Sequence, residues 1–387
     1  MRNVPEPTPL RRPRLVVLDT AHLAGLVADI VSDGRDRKRA AQRFVPKLIE
    51  KGWLPLVCWH HIEELLQHRD DHLVDARLQY LWSLPRMAWI RPSDPNAGPG
   101  SILDILRAEA AVALSSPGAD AIRVRDLARH ELIAVGTGTD AIPESFRDWR
   151  LLRDALADAQ LNARRVAAIA RWRAINIDDT RIGTWLARPA RDRSGSERVL
   201  NHMREDLVRE IASRGDKRIQ DPAAMATEFM QQVANDGHAV VGHRAAVTAV
   251  QLLIDAGMEI EDIDPLATFG ETMNLLTFQK RLRLIAEEFQ LPWVELKRRV
   301  ARQQIPVNVI EEAMRRYAQD QPERKGSELN DTHLLCLAPY ADMTYVDKRT
   351  LENLRRARSK DPVIDCLVGS VARATGHAAV AAMLTQS

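Results

Sequence analysis

Short aliphatic runs without polar alternation lie near the start of this chain, and they constrain its fold more than any other feature. They are Leu15-Val16-Val17-Leu18 and Leu56-Val57-Cys58, answered far downstream by the mixed run Met343-Thr344-Tyr345-Val346. A strand with one wet face alternates polar and apolar residues. A run such as Leu15–Leu18 that does not alternate suits a strand covered on both faces. Helical periodicity runs from about Ala21 to Val31 and from Lys38 to Glu50, where Gly52 closes it. It returns over about His60–His68 and Asp71–Ser83, and Ala88-Trp89-Ile90 reads as a short third strand. The order β-α-α-β-α-α-β predicts a parallel sheet with helical crossovers.

The pattern breaks at Pro92, Pro95, Gly98, Pro99 and Gly100. From about Ser101 to Tyr317 nearly every apolar residue recurs at helical spacing. Leu151, Leu152, Ala155 and Leu156 lead on to Val166, Ile169 and Trp172, and Leu275, Leu276 and Phe278 to Leu282, Ile285 and Phe289. The polar stretch Gln319–Gly326 ends this block, α/β character resumes at Ser327, and the Ala/Val-rich end, Cys366–Leu384, reads as a packing helix. The fold class is therefore α/β. Residues 14–92 and 327–387 form two halves of one parallel-sheet domain with flanking helices, interrupted by a large all-α insertion over 99–325. Such an insertion is tolerable because each doubling of a closed loop costs only about 0.6 kcal/mol.

The 387 residues, 45% of them hydrophobic, suffice for about two domains. A formal net charge of +2 gives no bulk attraction to nucleic acid, so any basic surface must be local. Cys58, Cys336 and Cys366 lack metal-type spacing, sit in apolar stretches and read as buried thiols in a reducing compartment. Residues 1–13 are a Pro- and Arg-rich tail without a signal-peptide apolar stretch, and no apolar run approaches the ~20 residues of a membrane span. A cytoplasmic protein with no membrane partner is expected.

Four carboxylates stand out by position. Asp19 closes the first apolar run and Asp347 follows the last one. Glu64 lies on the helix after strand two, and Asp331 is in the first turn of the helix leading to the Asp347 strand, where the macrodipole tolerates its charge. In open parallel sheets ligands bind beyond the carboxyl ends of the strands. Four carboxylates meeting there would repel unless a divalent cation neutralised them, and an all-oxygen set suits Mg²⁺ or Mn²⁺. Taken singly, each has an ordinary reading, as a helix N-cap or a solvated glutamate.

These residues carry a resemblance to the PIN-domain nucleases. Leu18-Asp19-Thr20 resembles that family's Asp after the first strand, and Glu64-Leu65 its Glu on the helix after strand two. Asn330-Asp331-Thr332-His333-Leu334, with Ala338-Pro339 downstream, resembles its third acidic element, and Val346-Asp347-Lys348-Arg349 its last. The likeness covers about 140 residues in two pieces. It departs from the family in the length of the interruption and in Val346, where many members carry Ser or Thr. Glu63 competes with Glu64, and the Glu-Leu match favours Glu64. The resemblance implies metal-dependent endoribonuclease activity. Asp19, Glu64, Asp331 and Asp347 would be ligands of Mg²⁺ or Mn²⁺, and Lys348 and Arg349 would lie near a substrate phosphate. RNA is the expected partner. The alternatives are a structure-specific DNA nuclease and a catalytically silent PIN-like scaffold that binds protein or nucleic acid. The insertion is expected to recognise substrate, to mediate homo-oligomers or to bind a regulatory protein.

Other signals are weaker. His60, His61, His68 and His72 cluster without a His-Glu-x-x-His pattern and read as solvated or hydrogen-bonded side chains, with a proton-transfer role for His61 or His22 as the alternative. Gly136-Thr137-Gly138-Thr139 lacks the Gly-Lys-Ser/Thr ending of a phosphate loop and reads as a helix connection. Lys297, Arg298, Arg299 and Arg302, with Trp293 nearby, form a basic cluster expected to touch substrate.

Overall fold

The computed structural model describes residues 12–170, 172, 178–187, 193–238, 250 and 253–386. The chain divides into two units. One comprises Met1–Ile105, Arg125–Arg153 and His333–Ser387, and the other Leu106–Val124 and Asp154–Thr332.

The first unit is mixed α/β, built on a six-stranded, mostly parallel sheet flanked by helices. Its strands are β1 (Arg14–Val17), β2 (Trp53–Val57), β3 (Met87–Ile90), β4 (Ile133–Gly136), β5 (Met343–Tyr345) and β6 (Ser370–Ala372), in the order β4-β3-β2-β1-β5-β6. All neighbours are parallel except β3 and β4. The first strand in the chain is thus central, paired through Val17 with Leu56 on one side and Thr344 on the other. Leu15, Val16, Val17, Leu56 and Val57 are all buried, as their unalternating sequence demands. Asp342 fixes the register at the amino edge: its carboxylate accepts from Leu15 N–H at 2.7 Å, while its own N–H donates to the Leu15 carbonyl at 2.8 Å.

The helices of this unit are α1 (Thr20–Val31), α2 (Arg35–Gln42), α3 (Phe44–Glu50), α4 (Trp59–Leu66) and α5 (Asp71–Trp82), then parts of α6 (Ile102–Ser115) and α7 (Ala121–Leu132), and α8 (Gly138–Ala141). β4 falls in the stretch whose periodicity predicts only helix. It hydrogen-bonds antiparallel along the whole of β3. The segment after it packs on the same unit: Trp82 donates to the Ile142 carbonyl at 2.8 Å, Phe146 meets Trp59 edge-on, and Trp149 donates to Asp75 at 2.8 Å. The Gly-Thr-Gly-Thr sequence is a cap, with Thr137 accepting from Asp140 N–H. A Cβ on Gly138 would lie 1.8 Å from the Leu81 carbonyl oxygen, so the glycine there is a packing requirement.

Among its described residues, the second unit's regular structure is helical apart from one isolated bridge, Arg181 to Thr268. Its helices are α9 (Arg153–Ile169), α10 (Ile182–Leu186), α11 (Arg193–Arg214), α12 (Pro222–His238), α13 (Phe269–Glu288), α14 (Trp293–Arg299), α15 (Pro306–Tyr317) and most of α16 (Ser327–Leu335). One core joins Ala168, Leu207, Ile211, Met225, Ala226 and Met230. Fully buried Glu109 accepts from Val307 N–H at 3.0 Å, satisfying one orphan donor at the start of α15. The chain then returns to the first unit for α17 (Lys348–Lys360), α18 (Pro362–Leu367) and α19 (His377–Gln386). β6, which the sequence pattern does not predict, lies between α18 and α19. Cys58 and Cys336 are buried as expected, but Cys366 is exposed. No helix among the described residues is long and apolar enough to cross a membrane.

Candidate metal and nuclease centre

β1 and β5 are neighbours, and each is followed by one buried residue, an aspartate and a helix. Asp19 caps α1, its Oδ1 accepting from Ala21 N–H at 3.0 Å. Asp347 caps α17, its Oδ1 accepting from Thr350 N–H at 2.6 Å. Asp is a strong N-cap because it satisfies an orphan donor and meets the positive end of the helix dipole. Both aspartates therefore stand at the carboxyl edge of adjacent central strands, half-buried, each with one oxygen committed to its cap. Glu64 is half-buried on α4, the helix that follows β2 on the other side of β1. Three adjacent strands, β2, β1 and β5, thus deliver Glu64, Asp19 and Asp347. Asp331 lies in the second turn of α16, whose first turn holds Glu328 instead, because the helix starts at Ser327 and not at Asn330 as the sequence predicts; this stretch counts with the second unit. The first unit itself supplies three of the four acids.

The peptide between Leu18 and Asp19 is held on both sides. Its N–H donates to the Tyr345 carbonyl at 3.1 Å. Its carbonyl meets His61 Nε2 at 2.9 Å. His61 Nδ1 accepts from Cys58 N–H at 3.1 Å, so the proton of the neutral ring resides on Nε2 and is donated to Leu18. Burial pushes His61 down to about 4, against the opposing pull of the bond that Nε2 donates to Leu18. His60 is pushed down to about 3, first by burial and then by His333 and His61, and its ring lies 4.5 Å from that of His333. Burial drives the Cys58 thiol up to about 12, which excludes it as a nucleophile near neutral pH. His22 Nε2 lies 3.1 Å from the Ala374 carbonyl, and His68 Nδ1 accepts from Asp70 N–H at 3.1 Å. These histidines serve the fold, and the bridging role of His61 is the one that sequence reading misses.

Glu63 accepts from Gln67 at 3.3 Å, and burial, with Glu64 beside it, raises its carboxyl above the ordinary range. Lys348 is exposed and Arg349 half-buried, both in the first turn after Asp347. In the second unit the expected basic surface is paired with acids. Lys297 bridges Glu259, Glu261 and Asp262, Arg298 and Arg299 share Glu295, and Arg302 lies 3.9 Å from Glu312. Trp293 donates to Glu259 at 3.2 Å and lies under Arg283.

The donor chemistry of Asp19, Glu64 and Asp347, all hard carboxylate oxygen, fits Mg²⁺ or Mn²⁺. Among the described residues, no group of three or more His, Cys, Asp or Glu side chains is gathered closely enough to hold a metal ion. No family model, curated protein or solved structure matches this chain.

Proposed function

We propose that this chain is a PIN-like, metal-dependent endoribonuclease. The observation that carries the reading is the delivery of Glu64, Asp19 and Asp347 by three adjacent parallel strands to the carboxyl edge of one sheet, where open α/β sheets bind their ligands. These three, with Asp331 as the fourth that the resemblance assigns, would be the oxygen ligands of Mg²⁺ or Mn²⁺. When bound, such ions activate water as a nucleophile and stabilise the charge on the leaving oxygen of a phosphodiester. The chain's own part is to hold the ligands and the phosphate. The amino ends of α1 and α17 favour an anion there, and Lys348 and Arg349 add charge at the same edge. Lys297, Arg298, Arg299 and Arg302 would contribute to substrate binding only by exchanging their carboxylate partners for phosphate.

A scaffold without chemistry is the second reading, favoured by the lack of a gathered group of three acids among the described residues. Incubating the full chain with labelled RNA and DNA panels in Mn²⁺, Mg²⁺ or chelator separates the two. RNA cleavage that chelator stops, and that Asp19→Asn and Asp347→Asn abolish, is expected. Cleavage of DNA alone would move the substrate class. Cleavage that survives both substitutions would remove the acidic site, and binding without any cleavage would leave the scaffold.

A further inference from the structure

His61 does more than fill the core. It is fully buried, and it links two main-chain groups that no strand ladder joins. The β1–β2 ladder ends at the pair Val17 and Leu56. One residue beyond that end, the Leu18 carbonyl takes the His61 Nε2 proton at 2.9 Å, while Nδ1 takes the Cys58 N–H at 3.1 Å. The same Leu18–Asp19 peptide gives its N–H to Tyr345, two residues before Asp347. One peptide group therefore ties together the turn carrying Asp19, the helix carrying Glu64 and the strand leading to Asp347.

We propose that His61 is a positioning residue, which holds the Leu18–Asp19 peptide against α4 and so sets the spacing of the Asp19 and Glu64 carboxylates. The proposal rests on the metal-site reading above. Its physical basis is that ligands need an outer set of hydrogen bonds to keep them aimed, and loss of one such partner typically weakens metal binding 10–100-fold.

The two amide side chains separate this role from simple core filling. Asn places an oxygen where Nδ1 stands and keeps the Cys58 bond, but it cannot reach Leu18. Gln carries an amide N–H out to the place of Nε2 and keeps the Leu18 bond. Both leave one main-chain partner unsatisfied, so a purely structural role predicts similar losses for both.

The test is calorimetry with Mn²⁺ alone on the full wild-type chain, Asp19→Asn, His61→Asn and His61→Gln, with thermal unfolding of each. We expect His61→Asn to bind Mn²⁺ roughly 10–100-fold more weakly than wild type, and His61→Gln to stay within about 3-fold. If Asp19→Asn loses affinity while both His61 variants bind like wild type, the positioning role is overturned and the metal site stands. Equal losses in the two folded His61 variants also overturn it. If the wild-type chain takes up no Mn²⁺, the metal reading fails and this inference with it. Should His61→Asn not fold, the ring nitrogen resonances of the wild-type histidine decide. A proton on Nε2 sustains the link to Leu18, and a proton on Nδ1 breaks it.

Discussion

Glu63 and Glu64 lie about 100° apart around α4, so only one of them can face a shared ion. Glu63 is engaged with Gln67, and burial opposes its ionisation. Glu64→Gln should therefore lose most Mn²⁺ affinity while Glu63→Gln keeps it. Calorimetry on the two variants checks this, and the reverse result would rotate the helix in our reading by one residue. A second expectation concerns acid. An unfolded chain protonates its imidazoles below about pH 6.5. The fold keeps the proton off His60 until about 3 and off His61 until about 4. Between those values the unfolded state binds more protons, so stability is complete above about pH 6.5 and falls as the pH drops towards the folded-state values. Urea unfolding from neutral pH down to about pH 5 should show this slope, and His60→Gln should reduce it. An unchanged slope in that variant would mean that other groups carry the acid sensitivity.

At the scale of elements, β4 is the piece that completes the sheet. It covers the β3 edge from Met87 to Ile90, and Ile142, Phe146 and Trp149 anchor the chain that follows it. Joining residues 14–98 directly to 327–387 would strip that cover and leave a bare apolar edge. Such a fusion should self-associate in sedimentation, whereas one that also retains 125–153 should be monomeric and unfold cooperatively. Identical behaviour of the two would show that β4 is dispensable. The first central strand was legible in sequence because an unalternating aliphatic run followed by Asp leaves few alternatives, as at Leu15–Asp19. β4 was not, because Ile133-Ala134-Val135-Gly136 continues directly from the helical period of α7, and only its pairing with β3 makes it a strand. β6 has three residues, too few to show any period. The His61 bridge joins residues 43 positions apart and leaves no local signature at all.

For the whole molecule, the two ends of the chain meet in one sheet while its middle builds a separate helical core with its own ion pairs. This explains how a chain with a formal net charge of +2 can be rich in Lys and Arg yet present its Lys297–Arg302 cluster already matched by acids. The same arrangement sets the order in which the protein can be made. β1 emerges from the ribosome early and finds β2 soon afterwards, but its other partner lies far downstream. The contact between Leu15 and Asp342 spans 327 residues. At about 5–20 residues per second, the second edge of the central strand waits roughly 15–65 s for its neighbour. Throughout that interval the nascent chain carries an open, aliphatic strand edge of the kind that chaperones recognise and that aggregation exploits. The helical block, synthesised in between, has time to fold before the sheet that flanks it in sequence can close.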